Sequence, residues 1–289
     1  MLKSVAIAEF YVTIFCCFCC FFFLYVIFYV KSLRLYWKDS FPLALLFLSV
    51  SCMSLFSFLF SVQWIMFISG MIKNETKNIH LLLSVGIIFV SFHVLYIMSL
   101  LSLFVQRIYC LLFPLNSVVR INKVIAVIVA PFCGCFCLFI SVSSLMYFHS
   151  DENTVPQGCY SFNCSHLLTN RKALILITSI LSILTVILGI TLECVLKKRK
   201  IVLAAHCSLA TRKLNNFARY SFYLRVIFET IPFTIDTVLA STMEIDIGYY
   251  LGPYAPLGAS IDALLCLFTY YRIVIRGKAM VALDQTVPS

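Results

Sequence analysis

Seven apolar stretches dominate the chain, at about residues 6–30, 41–69, 79–105, 124–147, 173–196, 220–241 and 248–275. A helix needs about 20 residues to cross a hydrocarbon layer, so each stretch has the length of one crossing. Lipid offers the backbone no hydrogen-bond partner, which leaves helices or a closed barrel as the only spanning structures. Glycine and proline are scarce, 9 and 8 in 289 residues, and the apolar runs are long, so helices are expected rather than short alternating strands. The expected fold is all-α: one seven-transmembrane helix bundle covering residues 1–289, with no soluble domain and no internal repeat. The first stretch reads as an uncleaved signal anchor, its apolar run being too long for a cleavable leader and no small-residue cleavage site following it.

Composition narrows the function classes. Hydrophobic residues make up 62% of the chain and charged residues only 12%, too few polar groups to coat a soluble core of this size. The formal charge of +10 does not point to nucleic acid, because the basic residues sit in short segments between apolar runs. Most of the 14 cysteines lie inside those runs and read as small hydrophobes. No Cys/His spacing fits a metal, and neither a metal-binding His/Glu pair nor a serine elbow points to an enzyme, so no cofactor and no catalytic residue is expected.

Charge sets the orientation. The segments 31–40, 107–123, 197–219 and 272–289 hold sixteen of the 22 lysines and arginines, which places them in the cytoplasm and the N-terminus outside. The glycosylation triplets at Asn74 and Asn163 fall on the outer loops of that arrangement. So do Cys159 and Cys164, the two cysteines placed to be oxidised, and a local disulfide between them is expected. Trp64, near the outer end of the second stretch, reads as an interfacial anchor.

Three groups of residues carry chemistry. Arg107 stands at the inner end of the third stretch, followed by Tyr109 and Pro114, and reads either as a switch or as a positive-inside anchor. Its neighbour Gln106 offers only a neutral hydrogen bond where an acid would hold it by a charge-assisted one. The basic run Lys197, Lys198, Arg199, Lys200, continued by Arg212 and Lys213, reads as a docking surface for a protein partner or for anionic lipid, or as a topology signal alone. The sixth stretch is the least ordinary. Arg225 and Glu229 are four residues apart and share a face; Asp236 lies further out, and Pro232 between them weakens the backbone ladder. Asp262 on the seventh stretch is a further partner, and His93 and Tyr96 on the third face the same space. Ionisable groups at this depth are either a ligand site or a structural pair buried in the bundle.

These motifs resemble known receptors. Arg107, Tyr109 and Pro114-Leu115 are similar to the Asp/Glu-Arg-Tyr segment and downstream Pro-Leu of rhodopsin-like G-protein-coupled receptors, with Gln106 in place of the acid and Ile108 in place of an aromatic. The proline of the sixth stretch is shared with them; the aromatic switch is not, Glu229-Thr230-Ile231 standing there. Closer still, three pieces resemble the serpentine chemoreceptors of nematodes, class BC most of all: Gln106-Arg107 with Phe113-Pro114-Leu115; Cys159-Tyr160-Ser161-Phe162-Asn163-Cys164 before the fifth stretch; and Gly252-Pro253-Tyr254 followed by Gly258 and Ile261-Asp262-Ala263. The resemblance implies a rhodopsin-like architecture with a cytoplasmic C-terminus. It implies a plasma-membrane receptor in the cilia of chemosensory neurons, binding a small chemical ligand and signalling to heterotrimeric G proteins. A retinal pigment is not expected, since the seventh stretch has no lysine for a Schiff base. The alternative is a seven-helix secondary transporter of a small solute. The charged sixth stretch fits that reading better, while the absence of a repeat and the low glycine and proline content fit it worse.

Overall fold

The computed structural model describes residues 3–113, 118–147, 155, 171–199, 209–242 and 254–276. These are helical almost throughout, with no strand among the described residues. The helices are α1 (Lys3–Val30), α2 (Leu33–Asp39), α3 (Phe41–Ile68), α4 (Thr76–Leu112), α5 (Val118–Tyr147) and α6 (Arg171–Lys198). The chain continues with α7 (Leu209–Arg225), a π-helical turn (Val226–Thr230) and α8 (Ile231–Thr242), and then α9 (Tyr254–Tyr270) with a second π-helical turn (Tyr271–Arg276). Pro114, Cys159, Asn163, Cys164 and Lys200 lie outside the described residues.

Among the described residues, six helices are long and apolar enough to cross a membrane. The stretch at 220–241 is helical too, but its charges and its π turn split it between α7 and α8, and it does not reach that standard of length and hydropathy. The distribution of side chains is that of a bundle made for lipid. Phe15, Phe22, Val127 and Leu138 stand exposed, whereas Ser49, Ser57, Ser99, Gln106, Arg107, Arg225 and Asp262 are buried. With hydrocarbon outside, apolar burial gives no drive, and close packing and interhelical hydrogen bonds take over. Ser49 meets Ser99 across α3 and α4 at 3.3 Å, and Ser57 meets Ser260 across α3 and α9 at 3.1 Å.

α4 is the central helix, packing against α3, α5, α6 and α7. α3 ends in a Schellman motif: Gly70 takes φ +81°, with Met71 N–H on the Met66 carbonyl at 3.0 Å and Gly70 N–H on the Phe67 carbonyl at 3.1 Å. Trp64 is not an interfacial anchor. It is fully buried, its ring 6.3 Å from Phe10 of α1 and 6.0 Å from Phe60, because the α3 face that carries it is covered by α1 and α4. The cytoplasmic segment expected from 107 is helical as far as Leu112, so Arg107 projects from a rigid helix and not from a loop.

Gly189 sets the spacing between α6 and α7. A Cβ there would come within 2.5 Å of Phe222 Cγ and closer still to its ring edge, and Phe222 is itself boxed into the main core. Gly189→Ala is therefore expected to destabilise the bundle by about 1–3 kcal/mol. Adding Phe222→Leu should recover part of the loss in thermal unfolding of the protein in lipid nanodiscs.

Candidate functional site

Local sequence explains the shape of the sixth helical segment. Pro232 has no N–H for the carbonyl of Phe228 four residues earlier, and the ladder widens just before it into the π turn Val226–Thr230. Gly258 of α9 faces that carbonyl: a Cβ there would lie 3.2 Å from the Phe228 oxygen. Proline on one helix and glycine on the other thus bring the bend against α9 and hold it there.

The bend carries the ionisable residues. Arg225, only 2% exposed, donates from Nη1 to Asp262 Oδ2 at 3.0 Å and pairs through Nη2 with Glu229 Oε1. Tyr96 of α4 donates its hydroxyl to the same Asp262 oxygen at 2.9 Å, and its ring lies 5.1 Å from the Arg225 guanidinium. His93, one turn away on α4, places Nε2 3.3 Å from Glu229 Oε1, near but out of line for a hydrogen bond. Phe89 stacks on the His93 ring at 6.1 Å. The sequence-predicted residues His93, Tyr96, Arg225, Glu229 and Asp262 therefore form one cluster joining α4, α7 with its π turn, and α9. Asp236 lies on α8, two turns further along, and its side chain is outside the described set.

A second polar network sits at the far end of α4. Along an α-helix at 1.5 Å per residue, the eleven residues from Tyr96 to Arg107 put it about 16 Å away. Gln106 is fully buried, and its Oε1 accepts from Arg107 Nη2 at 2.6 Å and from Ser40 Oγ at 2.8 Å. Its Nε2 donates to Asn122 Oδ1 at 2.6 Å. Ser40 precedes α3 in the N-cap position yet makes no side-chain cap, and Pro42 has no N–H to offer it. Its hydroxyl is left to serve Gln106. Arg107 is buried with no acid beside it, and its Nε has no partner among the described residues. Gln106 does more than its neutral chemistry promised, since one amide ties the starts of α3 and α5 to the end of α4. Tyr109 points elsewhere, its ring 5.2 Å from Phe113 and packed on the cluster formed by Leu45, Ile121, Ile125 and Val129.

The basic segment is partly engaged. Arg219 meets Glu193 at 2.8 Å and Lys197 meets the same carboxylate at 3.7 Å, so α6 and α7 are joined across their ends. Lys198 and Arg212 are exposed, and Lys213 buries an Nζ that has no hydrogen-bond partner among the described residues. At the opposite end of the bundle, Asn74 donates to the Val155 carbonyl at 3.1 Å and accepts from its N–H at 3.2 Å. A glycan on Asn74 would take one of the two hydrogens of the amide nitrogen that makes the first of these bonds.

Sequence reasoning missed Ser40, Asn122 and Glu193. Ser40 announces itself as an N-cap ahead of Phe41-Pro42, and Asn122 as an amide between the basic residues Arg120 and Lys123. Neither signal says what the side chain bonds to. Comparison with family models, with characterised proteins and with solved structures finds no match for this chain.

Proposed function

We propose that the protein is a seven-helix receptor of the rhodopsin-like kind, with the N-terminus outside and the C-terminus in the cytoplasm. In this reading α1, α3, α4, α5, α6, the bent pair α7–α8 and α9 are the seven spans, and the bend is the sixth. The receptor detects a small chemical ligand at the His93–Glu229–Arg225 cluster and signals to a heterotrimeric G protein at the other end of α4. The observation that carries the reading is Arg107. It is a buried guanidinium at the end of the central helix, without an acidic partner among the described residues, held by a glutamine that also grips two neighbouring helices. An anchoring arginine has no need of such a network, whereas a switch needs an arrangement that can be broken.

The second support is the bent helix. A π turn and a proline beside a charged cluster make a hinge that ligand binding can bias, and Arg219 and Lys197 on Glu193 give the cytoplasmic ends of α6 and α7 an ion pair to release. Nematode chemosensory cilia are the location the family resemblance implies, and the plasma membrane follows from it.

The test is a ligand screen in cells carrying a promiscuous G protein with a calcium readout, followed by Arg107→Ala. The variant is expected to reach the cell surface at wild-type level and to lose the ligand-evoked response entirely. Wild-type protein in vesicles that moves a solute, with Arg107→Ala moving it equally well, would establish the transporter reading instead.

A further inference from the structure

With His93 uncharged, the buried cluster sets one guanidinium against two carboxylates. Arg225 faces two carboxylates, Glu229 and Asp262, with Tyr96 neutral and His93 the remaining titratable group. Cys266, the next group on α9, sits against Ser221 at 3.7 Å and brings no charge of its own as a thiol. An unbalanced carboxylate is costly in hydrocarbon, and membrane proteins pair such groups.

The position of the unused valence is specific. Glu229 Oε1 is shared by Arg225 and His93, while Glu229 Oε2 is buried with no hydrogen-bond partner among the described residues. The cluster is also lopsided. The Asp262 side is sealed, with Arg225 and Asp262 only 2% and 1% exposed, whereas His93 and Glu229 keep 18% and 15% of their side chains open. The unpartnered Oε2 is itself covered, and the open edge of the cluster lies beside it, at His93 and the rest of the Glu229 side chain. Along α4 and the bent helix, that edge points toward Thr76 and Thr242, the side that carries Asn74.

We propose that this edge binds a primary ammonium group, R–NH₃⁺, with one N–H donated to Glu229 Oε2. An ammonium brings one compact charge and three donors, which matches a single free carboxylate oxygen. A hard metal ion asks for several oxygen ligands at once, and among the described residues no group of three or more His, Cys, Asp or Glu side chains could hold one. The π turn is what presents the oxygen, since Glu229 lies within Val226–Thr230. The receptor reading enters only in naming the ligand as an external amine; the unpartnered Glu229 oxygen stands without it.

The experiment uses the full chain in nanodiscs of uncharged lipid and follows thermal unfolding during titration with methylammonium, propylammonium and hexylammonium chloride. Choline chloride keeps the ionic strength constant, and the corresponding alcohols serve as uncharged controls. At least one ammonium is expected to raise the melting temperature saturably, by about 2–5 °C, with no effect of its alcohol. Glu229→Gln is expected to lose the response while melting at or above the wild-type temperature, because Arg225 and Asp262 then balance. His93→Lys, which supplies the charge covalently, should also be insensitive to amines. The control Glu193→Gln should respond as wild type does. A wild-type chain indifferent to all three ammonium ions overturns the proposal, as does a response that survives in Glu229→Gln or is reproduced by the alcohols. Amine stabilisation of a wild-type chain that evokes no G-protein response and moves a solute in vesicles would discard the receptor and keep the site. Loss of signalling in Arg107→Ala without amine stabilisation would do the reverse.

Discussion

Arg225→Met should be the most damaging single substitution in the bundle. The guanidinium is the one cation held between Glu229 and Asp262, and Tyr96 rests its ring against it. Methionine keeps much of the volume but leaves two carboxylates facing each other away from water. Removing one partner of a buried ion pair costs about 3–5 kcal/mol, because what remains is uncompensated charge. For a chain of this size that is on the order of a 10 °C drop in melting temperature, and in cells it should show as loss of surface expression. The decisive comparison is the triple substitution Arg225→Met/Glu229→Gln/Asp262→Asn. With every charge removed, most of the lost stability should return, since buried ionic groups replaced together by neutral ones cost little. An Arg225→Met protein that melts within a degree of wild type would show that the carboxylates are neutralised some other way.

How much of this could be read before the fold was known differs from residue to residue. Six of the seven expected stretches hold helices long and apolar enough to cross a membrane, and these were legible because hydropathy over twenty residues is a large summed signal. The Arg225–Glu229 pair was legible because four residues make one helical turn, and Asp262 could be named as a further partner because an isolated acid in an apolar run needs one. What hydropathy could not supply was register between helices. Tyr96 lies 166 residues from Asp262, and Ser40 lies 66 residues from Gln106; only the packing of α3, α4 and α9 decides that these side chains meet. Trp64 was misplaced for the same reason. Its position near a helix end fits an interfacial belt, but the face it occupies is covered by α1 and α4.

The π turn was half legible. Pro232 marked a weakness in the ladder, but the widening before it depends on where the Phe228 carbonyl can go. That depends on Gly258 in another helix. The structure separates Gly258 and Gly189, which permit close approach between helices, from Gly134, around which an added Cβ would meet nothing.

Under the receptor proposal, Gln106 leads to the second large effect, on basal signalling. Its single amide accepts from Arg107 and Ser40 and donates to Asn122. Gln106→Leu removes all three bonds and leaves Arg107 and the two helix ends without their common tie. Net contributions of about 1 kcal/mol per hydrogen bond give a loss of about 3 kcal/mol in the closed arrangement, so ligand-free signalling should rise by on the order of a hundredfold. Gln106→Glu should act in the opposite direction. A carboxylate accepts from Arg107 with roughly twice the strength of a neutral group, and Asn122 need only turn its amide to donate instead of accept. Basal signalling should then fall below wild type, with larger ligand concentrations needed for the same response. Serine and asparagine at the ends of the tie set the order of the weaker effects: Ser40→Ala and Asn122→Ala each remove one bond and should each raise the basal level by a few-fold. The double substitution Gln106→Leu/Arg107→Ala separates release from mere damage. If Arg107 is the group set free, the double variant is silent while reaching the membrane; if it signals as strongly as Gln106→Leu alone, the arginine is an anchor and the switch lies elsewhere.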